Sequence, residues 1–357
     1  MGETPVGNIK SHHRFSQIIF SSSILVLLIF CRCNNNTQIE TATQEKNLEY
    51  YSIEGFALGT SYHIKYEGEN DLKTIIDSLL NEFENSLSTF RENSVISKIN
   101  RNDSSVILDN YFINCFNTSM QISELTNGAF DITVAPLVNV WGFGFEKQEE
   151  VNKDIIDSIL DFVSYKKIKI ENNNIIKDDD RIKLDASAIA KGQSVDVISE
   201  YFLNIGINNF LVEIGGELRA SGTKQNKINW KIGIDKPIDN SNELDRQIQA
   251  KLKVYNKAIA TSGNYRQFYI KSGERYSHTI NPHSGYPVKH NLLSVTVMAN
   301  NCITADAYAT AFMVLGYEKS KKIVNTNNNI DAYFICSNSE NSFDINYTKG
   351  FDGVLTD

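Results

Sequence analysis

Cysteine is sparse and scattered. The five cysteines, at 31, 33, 115, 302 and 336, show no metal-ligand spacing, and Cys115, Cys302 and Cys336 read as buried free thiols. An excess of positive charge is also missing. Thirty-five Lys and Arg stand against 43 Asp and Glu, a net charge of −8, which argues against nucleic acid as a partner. No G-x-x-x-x-G-K loop occurs, so a Walker phosphate site is excluded. Strict βαβ alternation is absent, which disfavours a doubly wound fold, and there is no internal repeat. The most apolar segment, Ile18–Phe20 and Ile24–Phe30, is interrupted by Ser21–Ser23 and is too short for a membrane span.

What is present fits a globular protein with a substantial core, at 41% hydrophobic and 22% charged residues. Lys10, His12, His13 and Arg14 precede the apolar segment, and Cys31 and Cys33 follow it, the layout of an export signal over residues 1–30. A cysteine at that place predicts a lipid anchor on Cys31 or Cys33. Residues 31–49 are polar and without periodicity, a tether. Residues 50–357 then form the folded domain.

Within that domain, Tyr51–Leu58 and Ser61–Tyr66 read as strands around a Gly59–Thr60 turn. Leu72–Leu87 places Ile75, Ile76, Leu79, Leu80 and Phe83 at helical spacing. Tyr111–Leu125, Asp154–Phe162 and Ser194–Asn204 are further helices, and Ser88–Asn100 is a surface loop leading into a short helix. Strands are expected at Ile168–Ile170, Phe210–Ile214, Leu218–Ser221, Trp230–Ile234, Ala250–Val254, Ala258–Thr261, Gln267–Ile270, Leu293–Ala299 and Ala332–Ile335. Strands joined by short Gly or Asn turns, with helices inserted in blocks, predict an α+β fold on antiparallel sheets. After Pro136, VNVWGFG is expected to be a loop with exposed aromatics.

Four segments carry candidate chemistry. In Thr304–Thr310, TADAYAT, Asp306 and Thr310 are spaced i,i+4, which puts both oxygens on one helix face, where a hard cation such as Mg²⁺ could sit. The alternative is a helix-stabilising Asp306 in the first turn after an N-cap Thr304. Leu184–Gly192, LDASAIAKG, ends on Lys191 and Gly192 at a helix start, and is either an anion site of free N–H groups and a lysine or an Asp cap beside a solvated lysine. Gly128–Asp131, GAFD, offers Phe130 and Asp131 on a glycine turn. Arg275–Val288, RYSHTINPHSGYPV, brings His278 to a Gly/Pro-rich turn. Gly215–Gly216 in VEIGGEL is explained by a two-residue hairpin, which leaves Glu213 and Glu217 without an assigned ligand.

Together with LGT, STFRENSVISKIN, GAFDITVAPLVNVWGFG, LVEIGGELRASG, WKIGIDKP and IATSGNYRQ, these segments resemble the ApbE family of FAD:protein FMN transferases, in the family's order from about Gly59 to Gly316. The resemblance implies a two-lobed ApbE-like catalytic domain, FAD as substrate and Mg²⁺ as cofactor. It also implies transfer of FMN through its phosphate to a threonine or serine of a client protein, with AMP released. Carried over residue by residue, it puts FAD contacts at Leu58, Phe90, Ala129, Phe130, Asp131, Asp185, Lys191, His278 and Ile280. The metal would lie on the Ala188 carbonyl, Asp306 and Thr310, and His278 would take the acceptor's proton or touch phosphate. Leu58 stands where methionine is usual and Phe90 where tyrosine is common, so a hydroxyl contact at position 90 is missing. The family further implies an exported, membrane-anchored lipoprotein facing the periplasm, with an extracytoplasmic redox protein as client. An FAD pyrophosphatase on the same site and a non-catalytic FAD-binding lipoprotein are the alternatives.

Overall fold

Eight antiparallel strands form the main sheet, and they lie side by side in the order in which the chain reaches them: Glu49–Ala57, Thr60–Gly68, Phe210–Ile214, Glu217–Ser221, Lys257–Gly263, Leu292–Ala299, Asp331–Ser337 and Phe343–Tyr347. The computed structural model describes residues 48–144, 151–238, 247–265, 268–271, 274–339 and 342–356. The expected signal segment and nearly all of the tether, with Cys31 and Cys33, lie outside the described residues. The first and second, third and fourth, and seventh and eighth strands follow each other directly in the chain, the other neighbours being linked through inserted elements, and the α+β expectation holds.

The helices enter as two insertions. Between Gly68 and Phe210 come α1 (Lys73–Leu87), α2 (Val95–Asn100), α3 (Asn110–Leu125), α4 (Ala135–Val140), α5 (Lys153–Leu160) and α6 (Ala190–Asn204); between Ala299 and Asp331 come α7 (Cys302–Leu315) and α8 (Tyr317–Thr326). A small sheet of Trp230–Asp235, Ile248–Val254 and Leu355–Thr356 stands apart from the main one.

Period-two alternation assigns the faces. Val295 and Val297 point into the cluster that holds α7, whereas Met298 joins Leu218, Trp230, Leu252 and Tyr333 in another. On α1, Ile76 and Leu80 pack with Tyr62, Ile64 and Tyr66 of the sheet and with Val195 and Phe202 of α6. Helix α7 is buried almost all round, with Ala305, Ala307, Ala309 and Ala311 allowing close approach to the strands Lys257–Gly263 and Leu292–Ala299 and to α6. Full burial of a side chain such as Phe312 contributes roughly 2 kcal/mol, so packing fixes the rotation of α7 and the direction in which Asp306 points.

Two expectations are corrected. The N-cap of α7 is Asn301, whose side chain accepts from the Thr304 N–H at 3.2 Å. Asp306 therefore lies a turn deeper than a first-turn aspartate. After Pro136, α4 takes the first three residues of the expected loop, 138–140, because proline suits a helix's first turn, and the turn begins at Trp141. Trp141 is 6% exposed: its indole N–H donates to the Gly285 carbonyl at 2.7 Å and its ring stacks on Tyr276. The three described cysteines are buried free thiols.

Candidate active site

Helices α6 and α7 cap each other. The Gly192 N–H, in the first turn of α6, donates to Asp306 Oδ2 at 2.9 Å. In return, Asp196 of α6 accepts from the Cys302 and Ile303 N–H groups at 2.9 and 2.8 Å, at the start of α7. Each carboxylate thus meets the positive end of the other helix. Arg219 Nη1 closes the arrangement, 3.1 Å from Asp196 and 2.6 Å from Glu200. Gly192 is required by proximity. A Cβ there would stand 2.7 Å from Asp306 Cβ and collide with the Cys302 carbonyl. The expected open anion site at the start of α6 is therefore corrected: Asp306 already holds the Gly192 N–H.

Lys191, the neighbouring residue, pairs with Glu217 at 2.6 Å. Glu217 follows the Gly215–Gly216 turn, where φ values of +61° and +101° suit glycine. The lysine stem crosses this turn: a Cβ on Gly215 would lie 3.2 Å from Lys191 Cδ and 2.7 Å from Thr60 Cγ2. Asp306, Glu217 and Lys191 form a charged cluster in which both carboxylates are buried. Burial, with Glu217 beside it, pushes the Asp306 pKa up to about 7, although Lys191 and the Gly192 N–H oppose the shift. Burial raises Glu217 as well, again against Lys191. For Lys191, burial favours the neutral amine, but the two carboxylates outweigh it and its pKa is raised.

Thr310 follows Asp306 by one turn of α7, its Oγ1 3.4 Å from Ser262 Oγ. Ala188 is half-buried, two residues before α6. A carboxylate, a hydroxyl and a backbone carbonyl are hard oxygen donors, the set that suits Mg²⁺. Among the described residues no group of three or more His, Cys, Asp or Glu could hold a metal, so a zinc-type centre does not fit. A buried carboxylate beside a second one fits a cation.

The remaining predicted residues lie on other segments. Leu58 has φ +52° and its N–H donates to Glu84 Oε1 at 2.8 Å; the other Glu84 oxygen pairs with Arg91. Glu84 thus joins the Leu58 turn to the loop bearing Phe90, a residue 85% exposed. Ala129, Phe130 and Ile280 are buried. Asp131 Oδ1 accepts from the Thr133 N–H and Oγ1 at 2.8 and 2.6 Å, and Oδ2 from the Tyr165 N–H at 2.8 Å. Its carboxylate is committed to holding the turn. Asp185 accepts from the Ser187 N–H at 2.8 Å, while its own N–H donates to the Ile132 carbonyl at 2.8 Å, tying the two segments together. His278 is half-buried, edge-on to Phe143 at 6.4 Å. His283 reaches the Asn127 carbonyl at 2.7 Å and so pins the histidine-bearing turn to the GAFD turn.

Sequence reasoning left Glu217 without a role and passed over Asp196, Glu84 and Asn100, whose amide exchanges two hydrogen bonds with the Leu184 backbone, at 2.7 and 2.9 Å. Their partners lie far along the chain. Only Glu217, beside a Gly-Gly turn, carried a local signal.

The chain is similar to known proteins. The model of the ApbE family matches residues 58–334. The FAD:protein FMN transferase of Vibrio cholerae is 37% identical over 294 residues, covering 79% of this chain and 86% of that protein. The FAD:protein FMN transferase of Haemophilus influenzae is 31% identical over 321 residues, 85% of this chain and 91% of its own. The solved flavin transferase ApbE from Vibrio cholerae superposes with a TM-score of 0.77 at 34% identity, over 86% of this chain and 100% of that one.

Proposed function

The chain belongs to the ApbE family, and from that membership we propose how it works as an FAD:protein FMN transferase: the FMN half of FAD moves to a threonine or serine hydroxyl of a client protein, AMP leaves, and Mg²⁺ assists. In this reaction a bond forms between the acceptor oxygen and the FMN phosphorus. The bond from that phosphorus to the bridging oxygen breaks, and the bridging oxygen departs with AMP.

The observation that carries the reading is the buried Asp306 carboxylate, held by the Gly192 N–H next to the Lys191–Glu217 pair. Asp306, Thr310 and the Ala188 carbonyl are the residues that would hold the metal. When bound there, a divalent cation supplies neutralising charge to the pyrophosphate. Lys191 adds a positive charge beside the same carboxylate. His278 is the candidate acceptor of the hydroxyl proton, with Phe143 against its ring. Leu58, Phe90, Ala129, Phe130 and Ile280 supply apolar surface for the flavin, and the backbone of Asp131 and Asp185 supplies polar groups at its edge. The nucleophile comes from the client, so the site requires no serine or cysteine of its own.

The segment from Lys10 to Cys33 supports export and a lipid anchor, and hence a periplasm-facing protein whose client is an extracytoplasmic redox protein. No helix among the described residues is long and apolar enough to cross a membrane. The test is to incubate the protein with FAD and Mg²⁺, with and without a flavin-acceptor domain. A fluorescent protein band and matching AMP, appearing only with the acceptor, are expected. Free FMN and AMP without acceptor would make it a pyrophosphatase, and a stable complex without AMP a carrier.

A further inference from the structure

Lys191 Nζ has two buried carboxylates beside it, and the one it touches is Glu217, at 2.6 Å. The other, Asp306, is bound through Oδ2 to the N–H of the very next residue, Gly192. An ammonium rooted so close would be drawn to Asp306 if it had no other anion, because a buried charge left unmatched is costly. The Gly215–Gly216 turn prevents this. It brings Glu217 to the ammonium, and the glycine at 215 leaves room for the lysine stem to pass.

We propose that Glu217 is a positioning residue, which holds the Lys191 ammonium off Asp306 and so keeps that carboxylate open to a divalent cation. The inference rests on the reading of Asp306 as a metal carboxylate. The cluster Asp306, Glu217 and Lys191 carries one net negative charge when all three are ionised. Removing the Glu217 charge makes the cluster neutral and frees the ammonium to compete for the metal's place. Removing Lys191 at the same time restores one negative charge and takes the competitor away.

The test is direct metal binding in the absence of FAD. Mn²⁺, which accepts the same oxygen ligands as Mg²⁺, is titrated into the wild-type protein, Asp306→Ala, Glu217→Gln, Lys191→Met and the Glu217→Gln/Lys191→Met double variant, and free Mn²⁺ is read by electron paramagnetic resonance. Glu217→Gln is expected to weaken binding about thirtyfold when Lys191 is present and no more than about fivefold when it is methionine, with the double variant within about threefold of wild type. Circular dichroism and melting establish folding. Should Glu217→Gln fail to fold, Glu217→Asp, which keeps the charge, is expected to bind within about threefold of wild type; a loss of thirtyfold in that variant would overturn the proposal. Equal losses from Glu217→Gln with and without Lys191, or none, also overturn it. Wild-type binding that Asp306→Ala abolishes shows the metal reading sound even if the Glu217 inference fails. If wild type binds no Mn²⁺ through Asp306, both fall together.

Discussion

The two halves of the site are built on opposite principles. Around Asp306, charged groups meet across distant segments, with Lys191, Glu217, Asp196 and Arg219 arriving from α6 and from a strand. Around Phe130 and His278, the matched residues are mostly held by their own fold: Ala129, Phe130 and Ile280 are buried, and Asp131 spends both oxygens on Thr133 and Tyr165. Substitution of Asp306 should therefore act on chemistry out of proportion to its effect on folding. Substitutions in the aromatic half, His278 as the proposed proton acceptor excepted, should act on folding, with modest effects on chemistry. The comparison fails if a variant from either half behaves like one from the other.

The largest expected effect belongs to Asp306→Ala. Loss of the metal carboxylate should lower the rate of transfer to an acceptor domain by about a thousandfold, the scale of losing a preorganised electrostatic group. FAD affinity, measured by flavin fluorescence quenching, should change far less. Full Mg²⁺-dependent transfer by this variant would remove the charged half from the mechanism.

How far the site was legible in the sequence follows from the same contrast. Asp306 and Thr310 are one helical turn apart, so i,i+4 spacing revealed their shared face without any tertiary knowledge. The Gly-Gly hairpin was readable because a positive φ leaves a local mark, and the sheet followed from alternation in segments such as Phe210–Ile214. Asp196 was not legible: its partners, Cys302 and Ile303, lie more than a hundred residues away, and an aspartate inside an amphipathic helix gives no sign of capping another helix. The same holds for Glu84, which meets Leu58 and Arg91 only after α1 has packed on the sheet. Trp141 lies in a turn as expected, but its ring is buried rather than exposed, because the Gly285 carbonyl comes to meet its N–H.

A pH series probes the charged half next. With Asp306 pushed up to about 7 by burial and Glu217, the proton competes with the cation, so metal affinity should fall about tenfold per unit below pH 7, roughly a hundredfold by pH 5, and level off above 7. In the metal-free protein the sign is opposite. A raised folded pKa contributes stability that is fully present below the ordinary value of 3.8 and is lost as pH rises through about 7. Lys191 and the Cys302 thiol, both raised, titrate above this window, whereas Glu217, which burial also raises, adds to the same slope. Metal-free melting curves from pH 4 to 8 should therefore slope downward for wild type and less steeply for Asp306→Asn, in which the raised Glu217, Asp131 and Asp196 remain. A slope unchanged in that variant would assign the titration elsewhere.

The smallest effect on transfer should come from Asp131→Ala, although that residue is matched to the flavin. Truncation leaves the buried Thr133 and Tyr165 N–H groups without their acceptor, which costs about 3 kcal/mol and lowers the melting temperature by several degrees. Per folded molecule, at saturating FAD and below the melting range, the transfer rate should remain within about threefold of wild type, because the Asp131 carboxylate is engaged with Thr133 and Tyr165. The apparent KM for FAD should rise modestly as the GAFD turn loosens. A variant that melts like wild type yet transfers a hundredfold more slowly would show that Asp131 acts on the substrate, and the division between a charged half that performs the chemistry and an aromatic half that holds its shape would no longer stand.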